Sequence, residues 1–132
     1  MSPAPINVLY VEDDADLRAL VELIFQRETD MRIHCCEPHS EAEVLQTMHE
    51  FRPDIVLLDV MMPCVDGMSL ARSMLADPQL KQLPFVFMTA KSRPQELTEL
   101  RQAGALGVIS KPFDAIKLPD ELRALLAMHR SR

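Results

Sequence analysis

Long apolar runs are missing from this sequence: the longest hold four or five residues, far short of the roughly 20 needed to cross a bilayer. The amino-terminal Met-Ser-Pro-Ala-Pro has no basic n-region and no apolar h-region, so no secretory signal is expected. Cysteine is scarce and odd in number, with Cys35, Cys36 and Cys64 alone. No C-x-x-C and no Cys/His ligand spacing occurs, so the expectation is reduced thiols in the cytoplasm, without zinc, and with Cys64 a passive loop residue. Basic residues are outnumbered, 14 against 20 acids for a formal charge of −6. That excess opposes a bare nucleic-acid-binding module, because phosphate backbones demand clustered Lys and Arg. Glycine is limited to Gly67, Gly104 and Gly107, none in the loop after the first apolar run, so a glycine-rich phosphate cradle is absent there.

What is present suits one globular domain over residues 1–132, with a core over about 5–129. Its 48% hydrophobic and 26% charged residues are ordinary for that class. The informative stretch is residues 54–63, where Ile55-Val56-Leu57-Leu58 runs straight into Asp59 and the following loop ends in Pro63. A run apolar at every position suits a strand covered on both faces, as in a parallel sheet. Open α/β sheets bind ligands at the carboxyl ends of such strands. An acid there is a metal ligand, a nucleophile or a helix cap.

The other segments alternate in kind. Residues 6–11 read as a strand and lead into Glu12-Asp13-Asp14; Leu17, Leu20, Val21 and Ile24 then recur at helical spacing, with Asp14 as N-cap. Residues 31–36 form a weaker strand. Ser40 and Glu43 make a capping box for a helix with Val44, Leu45 and Met48 inward. Asp66-Gly67 opens a helix carrying Met68, Ala71, Met74 and Leu75, which Asp77-Pro78 closes. A fourth strand, residues 84–88, ends at Thr89-Ala90; Pro94 sits at a helix start and Gly104 at its C′ position. Residues 107–110 form the fifth strand, before Lys111-Pro112. Asp114 or Asp120 then caps a last helix with Leu122, Leu125, Leu126 and His129. Five strand–helix units in alternation predict an α/β, (βα)5 doubly wound parallel sheet.

In such a sheet the ends of strands one, three, four and five adjoin, so Glu12, Asp13, Asp59, Thr89 and Lys111 converge. Two carboxylates about 4 Å apart repel by roughly 4 kcal/mol at an effective dielectric near 20. Three of them either bind a proton or recruit a cation. Hard oxygen donors on a partly open loop suit Mg2+. A carboxylate able to attack, beside a metal, a lysine and a hydroxyl, suits phosphoryl transfer to aspartate.

The motifs Val11-Glu12-Asp13-Asp14, Asp59-Val60-Met61-Met62-Pro63 with Asp66-Gly67, Met88-Thr89-Ala90, Ala103-Gly104-Ala105 and Lys111-Pro112-Phe113 together resemble the receiver domain of two-component response regulators. The resemblance covers nearly the whole chain. It implies the flavodoxin-like strand order 2-1-3-4-5. It further implies that Asp59 accepts a phosphoryl group from a sensor histidine kinase or histidine phosphotransfer protein. Glu12, Asp13, Asp59 and the Met61 carbonyl would hold Mg2+, Asp13 directly and Glu12 through water. Thr89, with the Ala90 amide, and Lys111 would contact phosphoryl oxygens, and the Lys111–Pro112 peptide would be cis. Val108 stands where many receivers carry Tyr or Phe, so their aromatic switch does not transfer. Met61 and Lys91 fill the two positions that tune phosphoryl lifetime in the family.

The expected protein is a cytoplasmic switch with no output domain in this chain. It catalyses only its own phosphorylation and dephosphorylation and is otherwise no enzyme. Output is expected through a downstream effector protein on the face of the fourth helix, fifth strand and fifth helix, without nucleic acid or membrane. Three rivals are weaker. An aspartyl-phosphate phosphatase commonly carries a second Asp where Met61 stands, and a flavodoxin-type carrier would place FMN phosphate against Glu12-Asp13-Asp14. A phosphorylation-independent binding module leaves the complete acid–Thr–Lys set without use.

Overall fold

The apolar runs form strands, and each strand feeds a helix that packs back on the sheet. A computed structural model of the chain describes residues 4–90 and 93–131. In chain order the elements are β1 (Ile6–Val11), α1 (Ala15–Phe25), β2 (Met31–Cys36), α2 (Glu41–Phe51), β3 (Ile55–Asp59), α3 (Gly67–Ala76), β4 (Phe85–Thr89), α4 (Pro94–Gln102), β5 (Gly107–Ser110), a 3-10 turn (Ala115–Lys117) and α5 (Leu118–Arg130). The five strands are all parallel, in the order β2-β1-β3-β4-β5. Both the class and the flavodoxin-like order match the expectation.

β3 lies at the centre, and its five residues are all buried. Alternation splits them between two cores. Val56 and Leu58 join Val44 and Met48 of α2 with Leu70, Ala71 and Met74 of α3. Ile55 and Leu57 face the other way, toward Val21 and Phe25 of α1 with Leu122 and Leu126 of α5. Each fully buried aliphatic side chain contributes roughly 1.5–3 kcal/mol, so the four apolar residues of β3 anchor the sheet from both faces.

Local signals set the helix ends. The side chains of Asp14, Ser40 and Asp66 accept the N–H groups of Leu17, Glu43 and Met68. Gly104, at φ 100°, ends α4 in the left-handed region open to glycine.

Three expectations need correction. Leu20 is 46% exposed, and Phe25 completes the buried face of α1 instead. At 100° per residue Leu20 falls to the far side of Leu17, whereas Val21 and Phe25 share one flank. Leu75 is likewise turned outward at 44% exposure, with Leu70 buried in α3. Neither Asp114 nor Asp120 caps α5. Asp114 caps the 3-10 turn through Ile116 N–H, and Asp120 lies within the first turn of α5.

Candidate functional site

Parallel pairing brings four strand ends to one edge. Glu12 and Asp13 follow β1, Asp59 ends β3, Thr89 ends β4, and Lys111 follows β5. Carboxylate oxygens of Glu12, Asp13 and Asp59 lie within 4.8 Å of one another. Lys111 Nζ donates to Glu12 Oε1 and to Asp59 Oδ2, both at 2.7 Å. Thr89 is buried beside them, and its carbonyl accepts the Lys111 backbone N–H at 2.8 Å. Glu12, Asp13, Asp59 and Lys111 converge through their side chains as the topology predicted, and Thr89 joins them through its backbone. The Lys111–Pro112 peptide is cis.

The acids differ in surroundings. Glu12 is buried to 1% exposure, Asp59 to 5%, while Asp13 is exposed. Glu12 is also the most constrained: Tyr10 Oη–H donates to Oε1 at 3.1 Å, the Asp14 N–H to Oε2 at 3.2 Å, and Arg18 Nη1 to its carbonyl at 2.8 Å. Asp59 Oδ1 accepts the Met61 N–H at 3.3 Å.

These contacts sort the protons. Burial pushes the Asp59 carboxyl up to about 6; Lys111 opposes that rise and Glu12 reinforces it. Burial also acts to raise Glu12, but hydrogen bonds from Lys111 and from the neighbouring acids and amide overcome it, holding Glu12 below the usual carboxylate range. Burial and the Glu12 contact raise Asp13. Burial raises Tyr10 far above the ordinary phenol value, with Glu12 adding to it, so its O–H stays a donor. Lys111 is raised by both carboxylates despite its own burial. The cluster is short of positive charge, and a proton on Asp59 is the cheapest repair. A small divalent cation is another. The donor set, three carboxylates open to solvent on the Asp13 side, fits Mg2+, which keeps several waters.

The other residues singled out in the sequence stand around this cluster or away from it. Met61 touches it through its backbone, its side chain being 71% exposed. Val108 is half-buried against the α2–α3 core. Cys64 is exposed and free, and Lys91 lies outside the described residues.

Two residues carry more than their sequence reading gave them. Tyr10 reads as one apolar residue of a strand, yet its hydroxyl reaches the Glu12 carboxylate. Gly67 reads only as a helix start. A Cβ there would lie 2.4 Å from the Asp59 carbonyl oxygen and 2.8 Å from Val60 Cα. The signal was its spacing, since the first residue of α3 must fold back onto the end of β3.

The chain matches the family model for the response regulator receiver domain over residues 8–123. It is 31% identical to response regulator Rre1 of Synechocystis over 92% of its length, and 27% identical to chemotaxis protein CheY of Pseudomonas aeruginosa over 91%. It spans half of Rre1 and 95% of that CheY. It spans 24% of the DNA-binding transcriptional regulator NtrC of Proteus hauseri, at 34% identity over 91% of the chain. Among solved structures, chemotaxis protein CheY4 of Vibrio cholerae superposes with a TM-score of 0.81 at 25% identity, covering 92% of this chain and 99% of that one.

Proposed function

The chain belongs to the response regulator receiver domain family, and we propose that Asp59 is its phosphoacceptor. It is thus a receiver of two-component signalling and not a conventional enzyme. One observation carries the assignment to Asp59. This carboxylate ends the central strand, sits within 4.8 Å of two other acids, and is bonded at 2.7 Å to the site lysine. Glu12 shares that lysine but is already held by a phenol and an amide. Of the two acids that share the lysine, Asp59 is the less restrained, its other oxygen accepting one backbone N–H, from Met61 at 3.3 Å, and it keeps more capacity for attack.

In the proposed reaction an Asp59 carboxylate oxygen attacks the phosphorus of a phosphohistidine. The P–N bond breaks, the P–O bond forms, and the imidazole leaves with its electron pair and takes a proton. Glu12, Asp13, Asp59 and the Met61 carbonyl would hold Mg2+, which when bound neutralises charge on the transferred group. Lys111 and Thr89, with the Ala90 amide, bind phosphoryl oxygens, so Lys111 gives up part of its hold on the acids as the phosphoryl group arrives. Hydrolysis of the acyl phosphate returns the carboxylate, so the catalysis acts only on the chain itself.

Receivers interact with histidine kinases and effectors. The donor here is proposed to be a sensor histidine kinase or phosphotransfer protein. The output is proposed to be an effector protein on the face formed by α4, β5 and α5. The formal charge of −6 opposes phosphate-backbone contact, so direct nucleic-acid binding by this domain is not part of the proposed role. Among the described residues no helix is long and apolar enough to cross a membrane, and a cytoplasmic setting is proposed from the family.

Incubation with acetyl phosphate and Mg2+, followed by intact mass, tests the assignment. Wild type should gain one phosphoryl group and Asp59→Asn none; equal labelling of both removes Asp59 from the role. Val108 supports a second reading, a binding module indifferent to phosphorylation. Partner affinity that ignores both beryllofluoride and Asp59→Asn would favour it.

A further inference from the structure

β1 carries an anomaly among its buried residues. Val8, Leu9 and Val11 are fully buried aliphatics, whereas the equally buried Tyr10 brings a hydroxyl into the core. Leaving such a group without a partner costs roughly 1–3 kcal/mol, so a tyrosine there needs an acceptor. Its acceptor is the carboxylate two residues on: Tyr10 Oη–H donates to Glu12 Oε1 at 3.1 Å. Tyr10 lies on the α1–α5 face, and residues two apart along an extended chain point to the same side, which is how its hydroxyl reaches the next residue but one.

We propose that Tyr10 is a positioning residue of the metal site, fixing Oε1 of the Glu12 carboxylate from behind, and the more so once Lys111 is drawn toward a phosphoryl group. The proposal rests on the receiver reading given above. Glu12 has three side-chain restraints, from Lys111, the Asp14 amide and Tyr10. The Asp14 amide and the phenol are fixed by backbone and by a strand packed on both sides. Lys111 is the mobile one, on a flexible stem and shared with Asp59. Once it turns toward another anion, Oε1 keeps a single donor, the phenol. Groups that orient a metal ligand from behind are worth about 10–100-fold in metal affinity, and because Glu12 is expected to reach the ion through water the low end applies to Tyr10.

Tyr10→Phe removes the hydroxyl and little else. Calorimetric titration with Mg2+ alone should show affinity about ten-fold weaker than wild type. An affinity within two-fold of wild type, with only the melting temperature lowered, overturns the proposal and leaves Tyr10 a core residue. The intact chain provides a second reading. Tyr10 is its only tyrosine and there is no tryptophan, so tyrosine emission reports on this phenol alone. Emission should change on Mg2+ addition and saturate at the calorimetric affinity. Flat emission while calorimetry registers binding overturns the proposal, even where Tyr10→Phe does not fold. Neither readout needs phosphorylation. A wild-type chain that binds Mg2+ but takes no phosphoryl group from acetyl phosphate therefore sinks the Asp59 assignment and not this one.

Discussion

Two clusters in this molecule have the same formal make-up, one cation among three acids, and behave in opposite ways. At the carboxyl edge of the sheet Lys111 bonds Glu12 and Asp59, with Asp13 beside them. Near the start of β2, Arg123 of α5 gathers Glu28, Asp30 and Asp120. The arginine cluster is solvated. Its Asp30 is held below the usual carboxylate range by the guanidinium, and Arg123 itself is raised by Asp30 and Glu28. In the lysine cluster burial raises Asp59 toward neutrality while Glu12 stays charged. Burial, rather than charge count, separates the two. The buried acid pair of the lysine cluster is strained in charge, and that strain suits it to a cation.

If so, removing the cation should hurt the buried cluster most. Lys111→Met leaves two buried carboxylates unpaired and should cost about 3–5 kcal/mol in denaturant melts at pH 7.5 without Mg2+. The loss should shrink as the pH is lowered and the acids take up protons. A cost of less than 1 kcal/mol would mean that solvent already screens the site. Next in size is Gly67→Ala, which drives a methyl against the Asp59 carbonyl and Val60 Cα, both backbone atoms. Overpacking of this kind costs about 2–3 kcal/mol, and by shifting the end of β3 it should weaken Mg2+ binding too. A neutral Gly67→Ala would show that the loop from residue 60 to 66 adapts freely.

Asp59→Asn should act in the other direction. An acid raised in the folded state contributes stability fully present below its unfolded value and lost as the pH rises through its folded one. For Asp59 that window runs from about 3.8 to about 6. Above it the charged Asp59 burdens the Mg2+-free chain, and asparagine carries no such charge. The variant should be more stable than wild type by on the order of 1–2 kcal/mol at pH 7.5, with the advantage fading between pH 6 and pH 4. A gain constant across that range would assign the effect to packing.

The sequence carried the lysine cluster far better than the arginine cluster. Each member of the first stands at the end of an apolar run, so periodicity and topology alone bring Glu12, Asp13, Asp59, Thr89 and Lys111 together; their chemical roles came from the family motifs. Arg123 reads as a polar residue on a helix, and nothing local says that it reaches Glu28 and Asp30, more than 90 residues away. Tyr10 was hidden for a related reason, since a tyrosine in a buried strand reads as apolar and its hydroxyl partner is a tertiary fact. The start of α5 was misread because Asp114 and Asp120 both look like caps; which one serves depends on a 3-10 turn that Ala115-Ile116-Lys117 does not announce.

The smallest expected effect is the strictest check on burial as the dividing principle. Arg123 makes hydrogen bonds to Asp30 at 2.6 and 2.8 Å and to Asp120 at 2.7 Å, besides its contact with Glu28. By contact count it is better bonded than Lys111. Exposed pairs nonetheless contribute little, because water solvates the partners left behind and salt screens the attraction. Arg123→Met keeps most of the apolar stem, so it should cost on the order of 0.5–1 kcal/mol, less at high salt, and leave Mg2+ affinity unchanged. Should it cost as much as Lys111→Met, and remain insensitive to salt, the number of bonds rather than their burial would govern both clusters. The charge strain assigned to Asp59 would then need another source.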